Sequence, residues 1–232
     1  MPRINKLNNK EEIDNKGAII IEDAINALLK QQDKVVLAIP GGRSVSGIFE
    51  KLKTKAIDWQ KVHIFMIDER LVDISDPESN FLLAKKSFLN ELFDSAKMPE
   101  TNAHPFIFNH NISDYGTGNY EQELRSIGGK YDIILLSSGE DGHVGALYPH
   151  HHSISNCAEY FITMVDSPKL PCERISSSLN LLLTAKYGIL LFLGEAKQAA
   201  LNSFLNKNLN IEDCPAKLVD KIPDSWVLTD LQ

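Results

Sequence analysis

The chain has 232 residues, enough for one α/β domain or two small ones, and enough to bury a core that holds a rigid site. Hydrophobic residues at 43% and charged residues at 24% exclude a disordered chain, and a net charge of −7 with no Lys/Arg-rich block excludes an ordinary nucleic-acid-binding surface. The same acidity repels phosphate on average, so a phosphate site has to be built locally from backbone amides and a few cations.

In chain order, positions 11–32 read as a helix, with Ile13, Ala18, Ile21, Ala24, Ile25, Leu28 and Leu29 recurring at mostly three- and four-residue spacing. Positions 35–39, Val-Val-Leu-Ala-Ile, form a continuous apolar run suited to a strand covered on both faces. Gly41-Gly42 ends it, and Ser44 is placed to cap a helix running to about Leu52. Positions 62–67 predict a second buried strand, ending in Asp68-Glu69-Arg70. Helices are expected over 80–93 and 114–127, and a third strand over 131–136 is followed by a long loop over 137–149. A strand over 160–165, a helical turn or two over 179–185, a strand over 187–193, a helix over 195–205 and a short last strand at Val227-Leu228 complete the reading.

Strands alternating with helices predict an α/β fold: a single open, mostly parallel, twisted sheet with helices on both faces, Rossmann-like and three-layered. No repeat, low-complexity tract or linker interrupts it, so one domain over 1–232 is expected. The start of the chain lacks the apolar stretch of a signal peptide, and no apolar run reaches the roughly 20 residues of a membrane span. Cys157, Cys172 and Cys214 are odd in number and far apart, which favours reduced thiols in packing roles and a cytoplasmic setting.

Three apolar strands run into polar or glycine-rich loops: Gly41-Gly42-Arg43-Ser44, Asp68-Glu69-Arg70 and Gly139-Glu140-Asp141-Gly142-His143. In open α/β sheets ligands bind beyond the carboxyl ends of the strands, so these distant loops can meet in one crevice. Gly41 and Gly42 let the backbone approach an anion, although the spacing is neither that of a P-loop nor G-x-G-x-x-G. The third loop offers a histidine, the side chain suited to proton transfer near neutral pH, between glycines that can take conformations closed to other residues.

Asp68-Glu69-Arg70-Leu71-Val72, Ser79-Asn80 and Gly139-x-Asp141-Gly142-His143-x-x-x-Leu147-Tyr148-Pro149 resemble the motifs of the 6-phosphogluconolactonases, which share a superfamily with the glucosamine-6-phosphate deaminases. The resemblance extends from the first helix to Trp226-Val227-Leu228-Thr229-Asp230. It implies hydrolysis of 6-phospho-D-glucono-1,5-lactone, the second step of the oxidative pentose phosphate pathway. His143 matches the general base, Asp141 its acidic partner, and Arg70, beside Asp68, a cation for charge developing on the carbonyl oxygen. Gly41, Gly42, Arg174 and Lys197 match the phosphate-binding positions, and Ser44, Asn80 and Gly139 are expected to bind substrate or phosphate beside them. Arg43 stands where the family has a small hydroxyl residue, and either adds charge to the pocket or points to solvent.

No cofactor is implied, because a lactone is already an activated ester. The triplet His150-His151-His152 has no matching carboxylate or cysteine cluster in the sequence, so a solvated loop and no metal site are expected. The implied partner is a small sugar-phosphate lactone, with no nucleic acid or membrane, acting on a monomer or weak homo-oligomer. Two other readings use the same pocket. A deaminase of the superfamily typically carries Asp-Glu-Tyr and a Phe-Asn-Glu-Pro type ending, where this chain has Asp68-Glu69-Arg70 and Ala146-Leu147-Tyr148-Pro149. A non-catalytic sugar-phosphate sensor would have no use for His143, and a generic esterase lacks its G-x-S-x-G.

Overall fold

In the computed structural model, which describes residues 1–231, ten strands form two sheets. Seven of them, β1 (Arg3–Lys6), β2 (Val35–Ile39), β3 (Val62–Met66), β5 (Ala103–His104), β6 (Ile133–Ser137), β9 (Tyr187–Phe192) and β10 (Asp224–Thr229), make one sheet in the order β1-β10-β9-β6-β2-β3-β5. Every pairing in it is parallel. This is the expected open α/β sheet, and it separates two apolar layers. Val35, Leu37 and Ile39 of β2 point into one and Val36 and Ala38 into the other, the period-2 alternation of a strand buried on both faces.

The first layer packs on α1 (Lys10–Leu28), α2 (Ser46–Leu52) and the segment 80–94. Asn9 caps α1 by accepting from the Glu12 amide at 3.0 Å, while Glu12 reaches back to the Asn8 amide at 3.1 Å, closing the first turn from both sides. Ser44 does not cap α2. The cap position is Val45, with no side-chain bond, and the Ser44 hydroxyl lies 2.8 Å from that of Ser137 instead. The expected helix over 80–93 is α3 (Asn80–Ala84) and α4 (Asn90–Asp94) joined by a π turn (Lys85–Leu89). The second layer packs on α5 (Thr117–Ser126), α7 (Leu179–Leu182) and α8 (Gln198–Leu205).

Beside the parallel sheet stands an antiparallel one, β4 (Asp68–Arg70), β8 (Arg174–Ser177) and β7 (Phe161–Met164), in the order β4-β8-β7. Asp68-Glu69-Arg70 is therefore a strand of this second sheet and not the polar loop expected after β3. Ile67 is the junction. Its amide donates to the Ile39 carbonyl at 2.8 Å in the large sheet, and its carbonyl accepts from the Ser177 amide at 2.7 Å in the small one. No helix among the described residues is long and apolar enough to cross a membrane.

Candidate active site

Chain order reverses between β2 and β6, which are neighbours in the sheet while later strands continue outward on either side. The loops leaving these two strands diverge there and open a crevice of about 350 Å³. The Ser44–Ser137 hydroxyl pair bridges the loops at its floor. A larger hollow of about 650 Å³ lies at the edge strand β1, walled by Met1, Ile4, Phe204 and Leu205. It contains no histidine, and the acid–base groups converge on the smaller crevice.

The loop after β6 is folded tightly on itself. The Gly139 amide donates to the His143 carbonyl at 2.8 Å, and the His143 amide donates to Asp141 Oδ1 at 3.1 Å. A Cβ on Gly139 would lie 2.0 Å from Cε1 and 2.1 Å from Nδ1 of His143, so only glycine leaves room for the imidazole. Gly142 has φ +87° and packs on Cys214, where a Cβ would meet the sulfur at 2.7 Å. The result is a histidine whose ring lines the crevice and whose Nδ1 is 2.5 Å from Asp141 Oδ1. With Asp141 accepting at Nδ1, the neutral ring carries its lone pair on Nε2. Burial pushes the Asp141 carboxyl up, but hydrogen bonds from the His143 ring and amide and the imidazole's charge outweigh it. The carboxyl is held well below the ordinary carboxylate range. Asp141 itself lies behind the ring and does not line the crevice. The buried Tyr148 ring backs the imidazole at 4.7 Å between centroids.

Opposite, the small sheet supplies charge. Arg174 and Asp68 are buried and paired, with Nη1 3.3 Å from Oδ2. The Leu170 and Pro171 carbonyls hold the other guanidinium nitrogens. Arg70 lines the crevice while its Nη1 donates to the Glu78 carbonyl, and its Nε is buried without a partner. Asn80 donates to the Asp68 carbonyl at 2.9 Å and lies against Gly41, where a Cβ would overlap its Oδ1 at 1.8 Å. Glu69, between the two site residues, is structural. It accepts from the amides of Arg70, Asn80 and Phe81 and from the Ser79 hydroxyl, anchoring the start of α3. Burial pushes its carboxyl up, against those four donors.

Gly41, Gly42, Ser44 and Lys197 line the crevice as well. Arg43 is exposed and outside it, so of the two sequence alternatives the structure takes the solvent-facing one. Lys169 is a crevice cation that sequence reading passed over. It lies in the same proline-bounded segment as Arg174, but no local pattern marks its turn toward the crevice. Ser138, Glu140 and Gly145 also contribute to the lining.

An α/β protein with an aspartate-held histidine over a cation-lined crevice at its topological switch point is built to move a proton on an anionic small molecule. Residues 8–227 match the family model described as glucosamine-6-phosphate isomerases/6-phosphogluconolactonase. A 6-phosphogluconolactonase of Borreliella burgdorferi is 30% identical over 90% of this chain and 89% of its own. The crystal structure of 6-phosphogluconolactonase from Thermotoga maritima superposes with a TM-score of 0.84 at 24% identity, covering 99% of both chains. A monomeric glucosamine-6-phosphate deaminase superposes with a TM-score of 0.80 at 24% identity, covering 98% of this chain and 96% of its own. The chain belongs to the glucosamine-6-phosphate isomerase/6-phosphogluconolactonase family.

Proposed function

We propose that the protein hydrolyses 6-phospho-D-glucono-1,5-lactone to 6-phosphogluconate, with His143 as general base. The observation that carries this reading is the His143–Asp141 pair, at 2.5 Å, presenting its imidazole to a crevice rimmed by cations. His143 Nε2 takes a proton from a water as that water attacks the lactone carbonyl, and Asp141 supports the imidazolium that forms. Arg70 faces the negative charge developing on the carbonyl oxygen. Collapse of the tetrahedral intermediate breaks the ring C–O bond, and the imidazolium gives its proton to the departing ring oxygen, which becomes the hydroxyl of the opened sugar acid. Lys197, Lys169 and the Gly41–Gly42 backbone hold the phosphate, with Arg174 fixed beside them by Asp68.

An activated ester needs only a base and a positioned water, so the reaction calls for no cofactor. The similarity to lactonases in sequence supports this substrate over the amino sugar phosphate of the deaminases. We further read the chain as one domain that works in the cytoplasm as a monomer or weak homo-oligomer. The three free thiols of Cys157, Cys172 and Cys214 support a reducing compartment.

The test follows loss of freshly generated phosphogluconolactone above its spontaneous rate, with ammonia release from glucosamine 6-phosphate measured in parallel. Enzymatic lactone loss that disappears in His143→Ala is the expected result. Lactone loss insensitive to that change would sink the mechanism, and ammonia release without lactonase activity would move the chain to the deaminases. Binding of sugar phosphate without turnover of either would make it a sensor.

A further inference from the structure

The histidine triplet acquires a carboxylate once the chain is folded. His151 and His152 begin the short helix α6 (His152–Ser155), and Asp166 follows β7 by two residues. One ligand atom from each lies within 4.8 Å of the others. His152 Nε2 is 3.0 and 3.1 Å from the two Asp166 oxygens, and His151 Nε2 is 3.6 Å from Oδ1. A tetrahedral zinc ion with bonds of about 2.0–2.1 Å places its ligands about 3.3–3.4 Å apart. Two edges of such a site are therefore nearly in place without any ion.

His151 Nε2 supplies an independent observation. It is buried and has no hydrogen-bond partner, because 3.6 Å to Asp166 is too long. An orphaned buried nitrogen is uncommon and costly, and this one is directed at the carboxylate that its neighbour already holds. His151 Nδ1 lies 2.9 Å from the Ser153 hydroxyl and 3.2 Å from the Ser153 amide. Donation from Nδ1–H to that hydroxyl is the outer contact that would free Nε2 as a ligand, at the expense of the longer amide contact. His152 and Asp166 open onto a shallow hollow shared with Tyr115 and Thr163, which gives an ion a way in.

We propose that His151, His152 and Asp166 bind one divalent transition-metal ion of the zinc class, at a site separate from the catalytic crevice. Two imidazoles and one carboxylate suit zinc, with water completing the shell. The ion would clamp α6 to the end of β7. Tyr148 stands between this site and the crevice, with its ring 4.7 Å from that of His143 and 5.8 Å from that of His151. The Ser167 hydroxyl, next to Asp166, donates to the Tyr148 hydroxyl at 2.9 Å. The clamp thus braces the wall behind the base and takes no part in proton transfer.

The experiment titrates untagged, chelator-treated full-length protein with zinc chloride, reading stoichiometry by elemental analysis, heat by calorimetry and melting by scanning. One equivalent should bind, with Tm rising by about 5 °C or more at a hundredfold excess over Kd. His152→Ala and Asp166→Asn change exposed side chains and should each weaken binding by about tenfold or more. His143→Ala should keep its one equivalent. No saturable uptake at micromolar zinc overturns the proposal. So does uptake unchanged in both surface variants, or uptake lost in His143→Ala.

Discussion

At the residue scale, the short contact between His143 and Asp141 carries most of the proposed chemistry. Asp141 is held well below the ordinary carboxylate range, so it remains an anion throughout neutral and mildly acidic pH. Its stabilising effect is present above the unfolded carboxyl value and is lost only as pH falls through the lower folded one, below about 4. Asp141→Asn keeps the shape but can hold the ring in the wrong tautomer. We expect kcat for the lactone to fall by about 10²–10⁴ with KM little changed, and an unchanged kcat would remove Asp141 from the mechanism. Gly139→Ala puts a methyl where the imidazole now lies, 2.0 Å from Cε1. We expect a loss of about 10² in kcat with a folded, cooperative melt, read from steady-state kinetics alongside calorimetry. The tight fold of the histidine loop around its glycines was legible in the sequence because a loop this short encodes its own geometry. Lys169 was not, because nothing local tells an exposed lysine from one that turns toward a cleft.

At the element scale, Glu69 shows how a charged residue inside a site motif can serve the helix and not the substrate. Its carboxylate takes the Asn80 and Phe81 amides at 2.8 Å, the free donors at the start of α3. Glu69→Ala strands these buried donors. A loss of about 3 kcal/mol or more in a denaturant titration is expected, and a loss under 1 kcal/mol would contradict the assignment. At the sheet edge, His63 on β3 and His104 on β5 share one hydrogen bond of 3.0 Å. Burial first, then the charges of His104 and Lys34, push His63 down to about 4 from 6.5. The unfolded chain therefore protonates this ring before the folded one does. Stability is full above about 6.5 and declines as pH falls toward about 4. The ring is half-buried, so solvent screening limits the effect to about 1–2 kcal/mol. Melting curves between pH 7 and 4 should show a shallower decline in His63→Gln than in the parent, and equal slopes would refute this.

At the scale of the whole molecule, the site exists because two sheets meet at one residue. Ile67 bonds to β2 on one side and to β8 on the other, so Asp68, Arg70 and Arg174 are carried to the mouth of the crevice that β2 and β6 open. The Ile67 and Ser177 amides should exchange with deuterium only on global unfolding, whereas the surface segment 108–115 exchanges early. Early exchange at Ile67 would mean that the small sheet detaches on its own. The arrangement also answers the net charge of −7. Arg70, Lys197 and the Lys169–Arg174 segment are far apart in the chain, so the positive potential exists only where they meet.

Local pattern in the sequence determined five of the seven parallel strands, missing the short edge strands β1 and β5, together with the helices that cover the sheet and the Asp141–His143 loop. Hydrophobic periodicity and glycine placement act within a few residues, so one chain segment suffices to read them. The antiparallel sheet, the pairing of Asp68 with Arg174, the outward turn of Arg43, the inward one of Lys169 and the approach of Asp166 to two histidines were decided by tertiary structure. Each joins residues through long-range contacts or depends on which way one side chain faces. Only closure of the fold brings those groups within the few ångströms over which hydrogen bonds and charges act.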